Sequence, residues 1–418
     1  MHLCKTHVHL FPQQIISGHF LHRRRRFLSF SSSEARLNEV LNRSWLLPKP
    51  DAEIHKIFVE TGGSGGGGGY SYLNDSYQIR SKGDRSRFYV IRDDLLHPLV
   101  NGNKARKLDA VLPILQNHSV TDVVTCGGCQ SAHTAAVAVS CAERSIRSHL
   151  VLRGEQPAVP TGYNLVSLMY ATNVVYVSRS VYADRTKMLR DHADLVAASS
   201  SSSIFTLDDI IHGCNHEMKN KVAMINEGAV SATALLGVIR LVRSLSQPHL
   251  LGRNETIKIV LDAGTGTTAT GFGLAVKMLG LPWKIVAVML GGESLEAYKN
   301  REMDLISDFN RSYGMSYGVV CEFDSSGIVE WVERIHPRRF GKVLKGEMEE
   351  CKKISQQTGI PVDPIYTLAA WEYAVLFSQE HLEHSAGPPP KVVMLHTGGT
   401  LGMFGLAQRY MNSFHPKP

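Results

Sequence analysis

Nowhere does this chain run unbroken through the roughly 18 to 20 apolar residues of a membrane-spanning helix, so a soluble protein is expected. Cysteine is scarce. Seven are scattered over 418 residues, which argues against a disulfide framework. Acidic residues are absent from the first 33 positions, where Lys5 and Arg23 to Arg26 stand among serines. An acid-free leader rich in Arg and Ser has the composition of a mitochondrial or chloroplast transit peptide, and Arg26-Phe27-Leu28-Ser29 resembles a matrix-protease site cut after Leu28. The plainer reading is a basic tail. A secretory signal is disfavoured, because Ser29, Ser31 to Ser33 and Glu34 interrupt the apolar stretch it would need. The net charge of +7 falls to about +2 without the five leader cations, which argues against a nucleic-acid-binding face. What remains is an ordinary globular composition, long enough for two domains.

The glycine run Thr61 to Gly69 reads as a linker or loop, and Ala197 to Ser203 as a surface excursion. Apolar, β-rich runs alternate with helical patterns: Phe88–Ile91, Asp122–Cys126, Leu150–Leu152, Val174–Val177, Ile257–Leu261, Lys284–Met289 and Val392–Leu395. Continuous apolar strands of this kind predict an α/β fold with parallel sheet covered on both faces. Such sheets bind ligands at the carboxyl ends of their strands, where the glycine-rich turns lie.

Lys104 stands in Asn101-Gly102-Asn103-Lys104-Ala105-Arg106-Lys107-Leu108, at the mouth of a helix whose buried face is Leu108, Val111, Leu112 and Leu115. Neighbouring cations and burial would lower its proton affinity, and a neutral amine is what Schiff-base chemistry needs. Taken alone, the segment reads first as a solvated basic turn. Gly264-Thr265-Gly266-Thr267-Thr268-Ala269-Thr270-Gly271 follows a strand and suits a phosphate. It lacks the lysine of a Walker loop, and as a dinucleotide fingerprint it has Ala269 in the third glycine's place. Gly127-Gly128-Cys129-Gln130-Ser131-Ala132-His133 is a second strand-to-helix turn, fit for a carboxylate, with Ser131 also readable as a simple N-cap. Cys126, Cys129 and His133 have the spacing of half a zinc site, which Cys214 and His216 would complete, or of a redox pair. Asp363-Pro364-Ile365-Tyr366-Thr367 sets a ring beside a hydroxyl, and His396-Thr397-Gly398-Gly399 closes the last strand. A phosphate cradle, an amine and a stacking ring together point to pyridoxal phosphate (PLP).

These five motifs, in this order, resemble the D-cysteine desulfhydrase and 1-aminocyclopropane-1-carboxylate deaminase family over residues 85–410, interrupted by an insertion near 180–220. With the leader, the whole is similar to a plant mitochondrial member, in the matrix. The resemblance implies the tryptophan-synthase-β type of fold (PLP fold type II), with two open parallel-sheet domains and the cofactor between them. The expected layout is a transit peptide over 1–33 and an N-terminal extension over 34–84. A small domain at 105–225, a large domain at 85–104 plus 226–410, and a tail at 411–418 follow.

Residue by residue, the family pattern implies that Lys104 bonds PLP beside Asn103 and that Tyr366 stacks on the ring, with Thr367 near its nitrogen. Gly264, Thr265, Gly266, Thr267 and Thr268 would hold the phosphate. Gln130, Ser131 and His133 would line the substrate carboxylate, with Lys104 and Ser131 the catalytic pair and no metal. Thr367 stands where deaminase members carry Glu, which favours elimination of sulfide from D-cysteine over opening of the cyclopropane ring. Ala132 replaces the usual Asn, Leu368-Ala369 replace Gly-Lys, and Phe340-Gly341 stand near the place of a family tyrosine. Deamination of the cyclic substrate, another D-amino-acid lyase and a catalytically silent PLP-binding homologue are the alternatives. The family resemblance further implies a homodimer.

Overall fold

The computed structural model describes residues 34–60, 69–72, 86–200, 202–211, 220–314, 327–380 and 389–414. Among these, the strands form two sheets. The larger runs in the order β11 (Glu330–Glu333), β10 (Trp283–Met289), β9 (Ile257–Ala263), β12 (Lys391–Leu395), β3 (Arg87–Ile91), β1 (Ile54–Glu60) and β2 (Gly69–Tyr72). From β11 to β3 every pairing is parallel, whereas β1 pairs antiparallel with both β3 and β2. The smaller sheet is parallel throughout, in the order β6 (Asn173–Val177), β5 (Arg147–Arg153), β4 (Asp122–Gly128), β8 (Lys221–Ile225) and β7 (Ser203–Thr206).

The apolar strands predicted from sequence are buried on both faces inside the sheets, whereas Val174–Val177, at the edge of the smaller one, is half-buried. In β9, Ile257, Ile259 and Leu261 enter one core with the helices Ala232–Leu245 and Thr267–Leu279, while Val260 enters the opposite core with Trp371. Side chains alternate across a strand, so a strand covered on both sides must be apolar at every position. In the smaller sheet Val123 and Val124 likewise point into different cores.

The described residues of 34–84, a range expected as an extension, contribute to the larger unit. Leu37, Val40 and Leu41 of a helix over 34–41 lie in its core, and β1 and β2 lengthen its sheet. Most of the glycine run separates β1 from β2 and lies outside the described residues, as do the leader, Cys214 and His216. Ser203, placed by sequence in a surface excursion, begins β7.

The helix Asn103–Asn117 joins the two units. Leu108, Val111, Leu112 and Leu115 pack in the smaller sheet's core, and Ala110 in the larger one. Gly237 lets the helix Ala232–Leu245 approach closely, since a Cβ there would strike the Arg106 carbonyl. The start of this helix is thus fixed between the carboxyl ends of both sheets.

Candidate active site

A cavity of about 800 Å³ opens between the sheets and is lined by Lys104, Lys107, Ser131, His133, Asp262, Gly264 to Gly266, Thr268 and Tyr366 among others. Each wall is a strand-to-helix turn. Lys104 is the second residue of its helix, and Gly102 before it has φ 64°. A side chain at Gly102 would collide with the Thr397 carbonyl, which accepts the Asn103 N–H at 3.0 Å. The His396-Thr397-Gly398-Gly399 turn therefore clamps the lysine loop. Its own His396 is spoken for, donating to the Pro361 carbonyl at 2.8 Å.

Lys104 Nζ donates to Asn103 Oδ1 at 2.6 Å. Burial pushes its amine down to about 8, while the Asp262 carboxylate pulls it the other way. Lys107 lies on the same side of the helix and is also buried. Its Nζ donates to the Gly228 carbonyl at 2.9 Å and to Thr265 Oγ1 at 3.2 Å, and burial together with Lys104 holds it well below the ordinary ammonium range. Of the three neighbouring Lys and Arg side chains, Arg106 alone does not line the cavity. It turns away to pair with Asp93 at 2.7 Å and to donate to the Pro50 carbonyl.

The glycine-rich segment is the strand-to-helix turn read from sequence. Gly266 takes φ 81° as N-cap of Thr267–Leu279, and a Cβ added at Gly264 would meet only open space. Thr265 and Thr267 share a hydroxyl contact at 3.0 Å. The Thr268 hydroxyl is buried with no protein partner. Thr267 is fully buried and does not line the cavity, whereas Thr268 does.

On the facing wall Ser131 caps the helix Ala132–Ala142 through Thr134 N and still lines the cavity. His133 contacts Thr125 Oγ1 at 2.8 Å, and that hydroxyl donates to the Ile225 carbonyl. The imidazole must then carry its proton on Nε2. Burial, with Lys104 and Lys107, pushes it down to about 3, so it stays neutral.

Two expected site residues turn elsewhere. Gln130 donates to the Thr161 carbonyl at 3.0 Å and lies against Gly405, outside the cavity lining. Its long side chain finds a carbonyl on a neighbouring loop instead. Thr367 is fully buried and also outside the lining. Its hydroxyl donates to Asp363 Oδ2 at 3.0 Å and accepts the Asp363 N–H at 2.8 Å. The same carboxylate takes the N–H groups of Ile365, Tyr366 and Thr367, so the threonine is consumed in capping its own helix. Tyr366 does line the cavity, edge-on to Phe340 with centroids 5.6 Å apart.

Cys126 and Cys129 are free thiols. Cys129 donates to the Arg153 carbonyl, and burial pushes Cys126 up to about 11, opposite to an activated thiol. Among the described residues no three His, Cys, Asp or Glu side chains are grouped to hold a metal.

Sequence reasoning missed Asp262, at the carboxyl end of β9, and the insertion's contribution to the wall. Arg179, Arg185, Thr186 and Leu189 line the cavity from the helices Arg179–Ala183 and Arg185–Ser200. Six cationic side chains face the cavity against three carboxylates, an excess that suits a ligand with more than one anionic group.

No protein-family model matches the chain. It is 50% identical to a protein of Oryza sativa subsp. japonica with the provisional name D-cysteine desulfhydrase 2, mitochondrial, over 88% of this chain and 93% of that one. It is 25% identical to the bifunctional D-cysteine desulfhydrase/1-aminocyclopropane-1-carboxylate deaminase, mitochondrial, of Arabidopsis thaliana, covering 76% and 74%. Among solved structures, an ACC deaminase homologue superposes with TM-score 0.63 at 21% identity, over 79% of this chain and 89% of that one. Threonine deaminase isoform 2 from Solanum lycopersicum gives 0.50 at 13%, over 79% and 83%. The fold is that of the PLP fold type II, tryptophan-synthase-β-like enzymes. With half its residues shared across nearly the whole of the rice relative, the chain belongs to the D-cysteine desulfhydrase and 1-aminocyclopropane-1-carboxylate deaminase family.

Proposed function

We propose that this chain is a PLP-dependent lyase that converts D-cysteine and water to pyruvate, hydrogen sulfide and ammonia in the mitochondrial matrix. One observation carries the reading: a buried, readily neutralised amine, Lys104, shares one cavity with a built anion cradle. The residues fit a phosphorylated aldehyde. The orphaned Thr268 hydroxyl, the open side of Gly264 and the Lys107 amine, which a bound anion would draw back to its charged form, are an anion's partners, and Tyr366 offers an aromatic face. PLP, when bound, supplies the electron sink that makes an α-proton removable and lets a β-substituent leave.

The chain's own residues do the rest. Lys104, freed by substrate, takes the α-proton, and its low proton affinity leaves a useful fraction neutral near pH 8. Ser131 and the first N–H groups of Ala132–Ala142 orient the substrate carboxylate, with the helix N-terminus favouring the negative charge. His133, neutral and hydrogen-bonded to Thr125, adds no charge to that turn. Sulfide is a good leaving group, so the β-carbon needs little acid assistance. A homodimer is part of the proposal. Val159, Met169, Phe404 and Met411 expose apolar side chains near the helix pair Gly162–Tyr170 and Gly402–Arg409.

The test is turnover by the purified full chain loaded with PLP. Sulfide and pyruvate should appear with D-cysteine and not with L-cysteine. α-Ketobutyrate from 1-aminocyclopropane-1-carboxylate, in preference to sulfide, would replace this reading with the deaminase. A loaded chain inert to both, and to D-serine, would make it a silent homologue. The ring-opening alternative is kept because the Arabidopsis relative is named for both activities.

A further inference from the structure

Asp262 is the acid that no motif contained. It is the penultimate residue of β9, is 3% exposed, and lines the same cavity as Lys104. Its Oδ1 accepts the Thr397 hydroxyl, so the carboxylate is oriented by the residue whose carbonyl holds the Asn103 N–H. A chain of contacts thus runs from Asp262 through Thr397 to Asn103, and on through Asn103 Oδ1 to the Lys104 ammonium. Thr367 cannot play this part, because its hydroxyl is committed to Asp363.

A carboxylate kept this dry is costly unless a cation answers it. Facing Asp262 are Lys104 from the joining helix, His396 beside Thr397 at the end of β12, and Asp363 before the helix Thr367–Glu380. Facing Lys104 are Asp262, Lys107 and His133, with Asn103 beside it on its own helix. Of these, Asp262 is the acid whose attraction is felt by the lysine.

We propose that Asp262 is a positioning residue for the Lys104 chemistry: it is the buried counter-charge, held in place by Thr397, that sets how readily Lys104 gives up its proton. The inference rests on the reading of Lys104 as the reacting amine. Its consequence is reciprocal. When Lys104 loses its charge, Asp262 loses the cation that favours its ionised form and binds a proton more tightly. The carboxylate, pushed up to about 6 by burial, is already close to the range in which such coupling operates.

The experiment follows Lys104 without needing turnover. The full chain, freed of cofactor, is trace-acetylated across pH 6 to 10, and modification of Lys104 is read by peptide mass spectrometry. In Asp262→Asn the amine should be neutral at lower pH, giving about threefold to tenfold faster labelling of Lys104 at pH 7. Asp262→Glu should restore most of the slow labelling. Thr397→Val, which frees the carboxylate without deleting it, should give a smaller change in the same direction and serves if Asp262→Asn folds poorly. In the loaded enzyme the rising limb of the kcat/KM profile should move to lower pH. Unchanged or slower labelling of Lys104 in folded Asp262→Asn or Thr397→Val overturns the proposal. Failure of the underlying reading would look different, as visible absorbance retained in Lys104→Ala with the labelling shifts intact.

Discussion

The two walls of the cavity are built to different standards. The wall of the larger sheet is dry and tied together: Gly102 against Thr397, Thr397 on Asp262, Lys107 on Thr265 and Gly228. The wall of the smaller sheet carries Ser131 and Ala132 at a helix start, with the exposed arginines 153, 179 and 185 around it. Arg185 is shared with Glu227 at 3.4 Å, across two partly exposed side chains. A phosphate and an aldehyde have one shape whatever the substrate, so the wall that would receive them can be rigid. Ala132 and the arginines of the segment near 180 lie on the wall that would meet the amino acid. On the proposed reading, the first wall would serve the cofactor and the second the choice of substrate.

If that division is right, substitutions on the first wall should hurt in every assay and those on the second in few. The largest effect is expected at Lys104. Lys104→Ala should remove the visible absorbance of the loaded protein and lower turnover by about a thousandfold or more, the order contributed by a positioned proton-transfer group that is also the covalent anchor. Retention of both absorbance and turnover would end the assignment. Lys107→Met comes next. It keeps the stem and deletes a donor that a bound phosphate would return to its charged form, so affinity for PLP should fall by about tenfold to a hundredfold, or roughly 1.5–3 kcal/mol. Fluorescence titration would read it, and unchanged affinity would remove Lys107 from the phosphate site.

Thr268→Val separates a ligand group from a structural one by the sign of its effect. A buried hydroxyl without a partner costs the empty protein, so the melting temperature of the unloaded chain should hold or rise. Affinity for PLP should drop by about threefold to tenfold, the worth of a hydrogen bond of roughly 1 kcal/mol. A loss of stability in the unloaded chain would make Thr268 a structural residue.

How much could be read in advance follows the same division. Strands such as Ile257–Leu261 are apolar at nearly every position, and two-sided burial is the simplest cause of that pattern. Strands β7 and β11 are four residues long, SIFT and EWVE, too short for any period to stand out. Backbone turns were legible because glycine is demanded by the geometry, as at Gly102 and Gly266. Side-chain direction was not. Thr367 was expected to face a ring, but Asp363 lies four residues earlier and offers a local capping partner. Gln130 had the right neighbours and the wrong reach, finding Thr161. Asp262 escaped notice because an acid between an apolar strand and a glycine turn looks like the first solvated residue of a loop. In the fold it stays inside β9, paired with Val288 of β10, and takes the Thr397 hydroxyl.

The smallest expected effect bears most directly on the second wall. Ala132 lines the cavity beside Ser131, and the family pattern places an asparagine there. Ala132→Asn puts an amide at the first position of the helix, where the side chain is only partly buried at the edge of the smaller sheet's core and open to the cavity. PLP affinity should change by less than about twofold, because Lys107 and the cradle lie on the other wall. The ratio of kcat/KM for D-cysteine to that for the cyclopropane substrate should move by about threefold to tenfold, the worth of one polar contact. An unmoved ratio would take Ala132 out of the choice of substrate and leave the arginines of the insertion as the part of this wall that makes it. Equal losses for both substrates together with weakened PLP binding would mean that the two walls are not separable, and the comparison itself would fail.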